Sequence, residues 1–241
     1  MIWLYTGTPG SGKSLHANRC ILNASMRNRQ VIANFAVKPT KKQIRKGKRP
    51  IFWDNSEITP KKLVRYAKDH HKKGKEGQTL LVVDECQILY NCRAFADVSR
   101  ADWVKFFSLH RHFGYDIILI TQYDRMIYRQ IRVMAEYQVK HRSVNNFRFL
   151  GFLIGLMGIK LFVAIETWYG INEVNSKAFF RGKRKLYNVY DSYANFKGFL
   201  DDEDEPPPAP ADAGGGPGDP PAADGADGDE HGEMERLIYG A

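Results

Sequence analysis

Gly7-Thr8-Pro9-Gly10-Ser11-Gly12-Lys13-Ser14 follows directly on the apolar run Ile2 to Thr6. The spacing G-x-x-x-x-G-K-[ST] is that of a phosphate-binding loop between a strand and a helix. Its glycines let backbone N–H groups turn inward around phosphate oxygens, through angles that a Cβ would obstruct. Lys13 then reaches the outer phosphates, and the Ser14 hydroxyl is placed to ligate Mg²⁺. The helix that begins here, with Leu15 in its first turn, is expected to run to about Arg27 and to add the positive end of its dipole to the same anion.

The next apolar, β-branched run is Val31-Ile32-Ala33-Asn34-Phe35, which reads as a second strand. Strand, phosphate loop, helix and strand make a βαβ unit, whose ligand lies at the carboxyl ends of parallel strands. The fold class expected is therefore α/β, a P-loop NTPase with a mainly parallel central sheet flanked by helices. Thr79-Leu80-Leu81-Val82-Val83 suits a central strand covered on both faces, and Asp84 and Glu85 close it. In that place Asp84 would hold Mg²⁺ through water, and Glu85 would polarise the attacking water as general base. An acidic turn at a strand end is the plainer reading, but the loop seventy residues upstream argues against it. No Asn-Lys-x-Asp guanine signature is present, so ATP is expected rather than GTP.

Ala101 to Phe113 is expected to be a helix, with Trp103, Phe106, Phe107 and His110 on one face. Gly114 closes it, and Asp116 to Ile120 is a further buried strand ending in Thr121-Gln122. These two side chains are candidates to sense the γ-phosphate or orient water. Between the second strand and Thr79 the chain is very basic from Lys38 to Arg49. Ile51 to Trp53 reads as a small strand. Thr59 caps a helix with Pro60 at its first position, in which Leu63, Tyr66 and Ala67 face inward and the basic residues through Lys72 and Lys73 face out.

Charge is unevenly distributed along the 241 residues, whose net charge is +9. Residues 1–200 carry 35 bases against 14 acids, and residues 201–241 carry 13 acids against one base. Such a body favours anionic partners, single-stranded DNA or acidic lipid, although a basic helix face is equally a solvated one. The three cysteines, Cys20, Cys86 and Cys92, have no metal-ligand spacing, and neither have the seven histidines. A reducing cytosol is the simplest setting. The Pro/Gly/Ala/Asp mixture of residues 201–241 lacks the apolar residues to fold, so two regions are expected, an ATPase domain over 1–200 and an acidic disordered tail over 201–241. Within the tail, Glu233 to Tyr239 contains Met234, Leu237, Ile238 and Tyr239, a short candidate docking segment.

The order of these motifs resembles the zonula occludens toxin (Zot) family, which includes the morphogenesis ATPases of filamentous phages. The carrying residues are Gly7 to Ser14, Val83-Asp84-Glu85, Arg111-His112-Phe113-Gly114 with Asp116-Ile117-Ile118, and Thr121-Gln122. Gln130-Ile131-Arg132 and Leu186 to Ser192 also fit. The resemblance implies an additional-strand ATPase core like that of the FtsK and HerA motors, working as a homo-oligomeric ring at the host inner membrane during phage assembly and extrusion. Phage coat or channel proteins are its implied partners. In such rings a neighbouring subunit often supplies an arginine to the γ-phosphate, and Arg111 and Arg132 are the candidates.

Many members of that family carry a membrane span after the ATPase domain. Here Phe149 to Ile159 is an apolar run interrupted by Gly151, Gly155 and Gly158, and Lys160 separates it from Leu161 to Ile165. That falls short of the ~20 residues a spanning helix needs. Two core strands meeting at the glycines, or a membrane-dipping hairpin, fit the pattern, and a peripheral position with a separate membrane partner is expected. Besides an extrusion motor, two other readings are open: a single-stranded DNA translocase or packaging ATPase, and a nucleotide-dependent scaffold with little hydrolysis. Glu85 argues against the scaffold, which needs no base.

Overall fold

The computed structural model describes residues 1–91, 97–144, 160–187 and 189. The expectations for Cys92, for residues 149–159 and for the acidic tail lie outside the described residues. The elements run β1 (Ile2–Thr6), α1 (Lys13–Met26), β2 (Gln30–Ala33), α2 (Lys41–Arg45), β3 (Ile51–Phe52), α3 (Pro60–His70), β4 (Thr79–Val83), α4 (Asp97–Leu109) and β5 (Tyr115–Ile120). They continue as α5 (Arg129–Val133), β6 (Tyr137–Ser143), β7 (Leu161–Trp168), β8 (Val174–Arg181) and α6 (Arg184–Tyr187). All eight strands form one sheet in the order β3-β2-β4-β5-β1-β6-β7-β8. The first six of that order are parallel, and β7 and β8 extend the sheet antiparallel beyond β6.

The continuous apolar run of β4 is explained by its central place. Leu81 and Val83 enter the cluster under α3, α4 and α5, while Leu80 and Val82 enter the cluster under α1. Each such side chain taken out of water contributes about 1.5–3 kcal/mol. In α3, Thr59 accepts a hydrogen bond from the Lys62 N–H and Pro60 opens the helix, as expected. Its buried side chains are Pro60, Leu63, Val64 and Ala67, whereas Tyr66 is half-buried, and the helix ends at His70, so that Lys72 and Lys73 lie beyond it.

The aromatic helix is shifted from its expected bounds. It begins at Asp97 and ends at Leu109, four residues before Phe113, and residues 110–114 form a turn in which Gly114 takes φ 79° and Tyr115 N–H donates to His110 O. Trp103, Phe106 and Phe107 remain buried core residues, Trp103 stacked on Phe107, and Trp103 and Phe106 edge-on to Tyr90 and Tyr115 respectively. Two strands were not foreseen at all, β6 and β8, and no helix of the described residues is long and apolar enough to cross a membrane.

Candidate nucleotide and metal site

The β1 strand delivers the phosphate loop to the carboxyl edge of the parallel sheet, between β5 and β6. Gly7 has φ 146° and Gly12 φ 92°. A Cβ on Gly7 would stand 2.6 Å from the His141 carbonyl oxygen, and one on Gly12 would stand 2.7 Å from the Phe162 ring. Glycine is required at both places by backbone angle and by space. Thr8, Pro9 and Gly10 are exposed, while Ser11 is buried with its Oγ lacking a hydrogen-bond partner among the described residues. An orphaned hydroxyl inside a cradle of N–H groups fits an anion better than it fits a closed structural turn. Leu15 sends its side chain into the core, which leaves its backbone N–H as its only polar contribution.

Lys13 is buried, and its Nζ donates to the carbonyls of Gly7 at 2.7 Å and Thr8 at 3.1 Å. Burial lowers its pKa, and the charges of Glu85 and Asp84 act against that. Ser14 Oγ donates to Asp84 Oδ2 at 3.1 Å, across seventy residues of sequence. Burial, and to a lesser extent the Glu85 charge, raises the Asp84 pKa from its ordinary value, with the Glu85 N–H, Ser14 and Lys13 pulling the other way. A half-buried carboxylate touching a hydroxyl is a hard-oxygen donor pair of the kind Mg²⁺ accepts. Glu85 follows with φ 46°, unusual for a side chain with a Cβ. Its side chain is exposed at the strand tip, where it accepts a hydrogen bond from Gln87 Nε2.

Thr121 and Gln122 close the same edge. Thr121 is buried, its N–H donating to Tyr5 O, and the Gln122 carbonyl accepts the Gly7 N–H at 3.3 Å. The end of β5 is thus hydrogen-bonded to the phosphate loop itself. The two arginines are placed elsewhere. Arg111 lies before β5, at the opposite edge of the sheet, with its guanidinium 2.6 Å from Glu136 Oε2. Arg132 lies on α5, beside Tyr169. Neither joins Lys13 and Asp84 within one chain.

Sequence reading missed two supports of this site. Asn34 holds Asp84 by two backbone hydrogen bonds, its Oδ1 accepting from Asp84 N–H at 2.7 Å and its Nδ2 donating to Asp84 O at 2.8 Å. A polar residue at the end of the apolar run of β2 was the only signal. Under the loop, His16 Nδ1 lies 2.9 Å from His141 Nε2, and both rings pack against Tyr5. Burial lowers the His16 pKa to about 4 and the His141 pKa to about 3, so both rings are neutral and one N–H lies in the hydrogen bond between them.

A sequence description of the family Zonular occludens toxin (Zot) matches residues 1–154. The Gene 1 proteins of Enterobacteria phages fd and M13 are each 27% identical over 225 residues, which is 83% of this chain and 61% of theirs. The chain thus spans less than two thirds of the length of those relatives. Among solved structures, an ATPase domain superposes with a TM-score of 0.52 at 12% identity, covering 79% of this chain and 84% of that one. The N-terminal domain of zonular occludens toxin from Neisseria meningitidis gives a TM-score of 0.48 at 20% identity, covering 79% of this chain and 98% of that domain. The match of the family over well more than half of the sequence, on a P-loop NTPase fold, places this chain in the zonular occludens toxin (Zot) family.

Proposed function

We propose that this chain is a Mg²⁺-dependent ATPase that works as a homo-oligomeric ring at the cytoplasmic side of the host inner membrane and drives assembly and extrusion of a filamentous phage. The observation that carries the chemistry is the meeting of Ser14 and Asp84 at 3.1 Å beside Lys13. Family membership and the likeness to the Gene 1 proteins of phages fd and M13 support the phage role. Coat or channel proteins and a separate membrane partner complete the machine, and the basic body offers a face to single-stranded DNA or acidic lipid.

In this reading the loop of residues 7–15 holds the triphosphate of ATP through those of its backbone N–H groups that are free to face it, and Lys13 exchanges the Gly7 and Thr8 carbonyls for phosphate oxygens. Ser14 and Asp84 are the residues that would hold Mg²⁺, which supplies charge neutralisation on the phosphates when bound. Glu85 accepts a proton from water as the water oxygen bonds to the γ-phosphorus. The bond to the bridging oxygen breaks and its electron pair leaves with ADP. Thr121 and Gln122, tied to Gly7, transmit the presence or loss of the γ-phosphate to β5 or orient the water. Arg111 or Arg132 of a neighbouring subunit offers charge to the transition state.

Mg-ATP turnover measured across protein concentrations, with Glu85→Gln in parallel, tests the proposal. Turnover that rises more steeply than protein concentration and falls about 10²–10⁴-fold in the variant, with ATP binding kept, is the expected result. Stimulation by single-stranded DNA would instead favour a translocase, a reading that the 35 bases against 14 acids of residues 1–200 also suit. Nucleotide binding without turnover under every condition would leave a scaffold and overturn the motor.

A further inference from the structure

On the face of the sheet that carries α1, away from the phosphate loop, a groove of about 610 Å³ opens between α1, the start of α2, the end of β8 and α6. Its walls are apolar: Leu22, Met26, Phe180 and Leu186 line it. Met26 is 60% exposed, an unusual state for a large apolar side chain beside a hollow. The rim is cationic, with Arg19, Lys41, Arg181 and Lys183 around it. The ion pairs on Asp116, Glu57 and Glu136 lie elsewhere. A hollow of this kind fits an apolar segment bordered by carboxylates.

The same chain contains one such segment. Met234, Leu237 and Ile238 fall at i, i+3 and i+4, which in a helix is one face. Asp229, Glu230, Glu233 and Glu235 stand around them. Val189 lies beside the groove: its carbonyl accepts the Lys38 N–H at 3.1 Å, and it packs in the cluster that Leu186 and Phe180 also join. The 43 residues between Val189 and Glu233 reach at most about 140 Å when extended, far more than the domain's width. Tethering at that length raises the local concentration of the segment to about the millimolar range. Charge acts in the same direction, because residues 201–241 carry 13 acids against a body with 35 bases and 14 acids.

We infer that residues 233–239 dock in this groove of their own chain, Met234, Leu237 and Ile238 against its apolar walls and Glu233 and Glu235 toward its cationic rim. The docked segment covers a face that other anions would otherwise reach, so it sets which partners the basic body accepts there.

The test uses the full chain and a fluorescein-labelled peptide of residues 228–241. A Leu237→Asp/Ile238→Asp chain empties the groove without touching the folded body. It is expected to bind the peptide at least tenfold more tightly than the unaltered chain, whose own segment competes. Amide exchange of residues 233–239, and of residues 22–26 of α1, is expected to be at least tenfold slower in the unaltered chain than in the variant. Adding Arg181→Glu/Lys183→Glu to the variant should weaken the peptide at least tenfold, and a peptide carrying Glu233→Lys/Glu235→Lys should recover the loss, which a misfolded groove would not permit. Equal peptide binding by the variant and the unaltered chain overturns the inference. So does protection that grows with protein concentration, which assigns the groove to a neighbouring copy. Vesicles containing phosphatidylserine that bind both chains equally through the Arg181 and Lys183 face make it a lipid surface and overturn it as well.

Discussion

The two edges of the central sheet carry the same kinds of charged group and use them in opposite ways. At the amino edge Asp116 and Glu136 are each closed by a cation. Asp116 takes the Met1 ammonium at 2.9 Å and Arg29 at 2.6 Å, and Glu136 takes Arg111 at 2.6 Å. At the carboxyl edge Lys13, Asp84 and Glu85 gather within one loop system, yet Lys13 donates to two carbonyls and Asp84 receives a hydroxyl. The amino edge spends its charges on stability. The carboxyl edge holds its charges in weaker, exchangeable contacts, which is what a site that must accept and release an anion requires.

The sharpest way to break this contrast is at Lys13. Lys13→Ala should lower ATP turnover by about 10³-fold, since one oriented charge on the reacting phosphates is worth about 4 kcal/mol. Its thermal midpoint should stay close to that of the unaltered chain, because the ammonium satisfies only carbonyls that water can also reach when the loop opens. A large drop in thermal stability would place Lys13 with the structural charges of the other edge.

Beneath the loop the His16–His141 pair gives a second, smaller test. Both folded pKa values, about 4 and about 3, lie below the ordinary histidine value. Between those values and about 6.5 the unfolded chain therefore binds protons that the folded chain refuses. Stability is full above about pH 6.5 and falls by about 1.4 kcal/mol per pH unit for each group as pH drops through that window. Lys13 and Arg19 on α1 and the neighbouring Tyr5, Cys20 and Glu166 surround this pair. Urea unfolding at pH 7.5, 6.5 and 5.5 measures the slope, and His141→Gln, which can still hydrogen-bond His16, should reduce it.

Asp116 acts in the same direction as that limb, but in a lower pH window. Burial would raise its pKa, but the Met1 ammonium and Arg29 outweigh burial and hold it below the usual carboxylate value. Its contribution is present above the unfolded value near 4 and is lost as pH falls through the lower folded one. Asp116→Asn should cost about 2 kcal/mol at pH 7, between an exposed and a buried pair, or a thermal shift of about 4–8 °C, and it should flatten only the limb below pH 4. Turnover should change little, since this carboxylate stands at the edge away from the loop.

What was legible in the chain was what is local. Residues 7–14 and Asp84-Glu85 declare themselves because loop, strand and chemistry are contiguous in sequence. Asn34 does not, since only the parallel pairing of β2 with β4 carries it to Asp84. His141 hid both a site and a strand. It is the buried position in Tyr137-Gln138-Val139-Lys140-His141-Arg142 that breaks the apolar alternation to the eye, although its neutral ring behaves as an apolar group there. The edge strand β8 keeps so few inward residues, Phe180 and part of Ala178, that period-two patterning barely exists. The bounds of α4 shifted because its aromatic stripe is continued past Leu109 by His110, buried from a turn rather than from the helix.

The smallest effect expected within one chain is at Arg111, and its smallness is what makes it informative. Its side chain is 46% exposed in its pair with Glu136, so Arg111→Ala should cost no more than about 0.2–1 kcal/mol of stability. If Arg111 is only a member of the closed amino edge, turnover per subunit in the assembled ring should be unchanged. A neighbour's nucleotide reached by the same guanidinium would reveal itself differently: Arg111→Ala would lose about 10³–10⁵-fold in turnover while keeping ATP affinity and fold. Mixing it with Lys13→Ala subunits would then restore activity at junctions where an intact loop meets an intact arginine. Because neither variant is active alone in that case, recovery on mixing comes only from sites built by two chains. Running the same mixture with Arg132→Ala distinguishes the two arginines, and failure of both mixtures to recover activity would remove the trans-acting arginine from the mechanism.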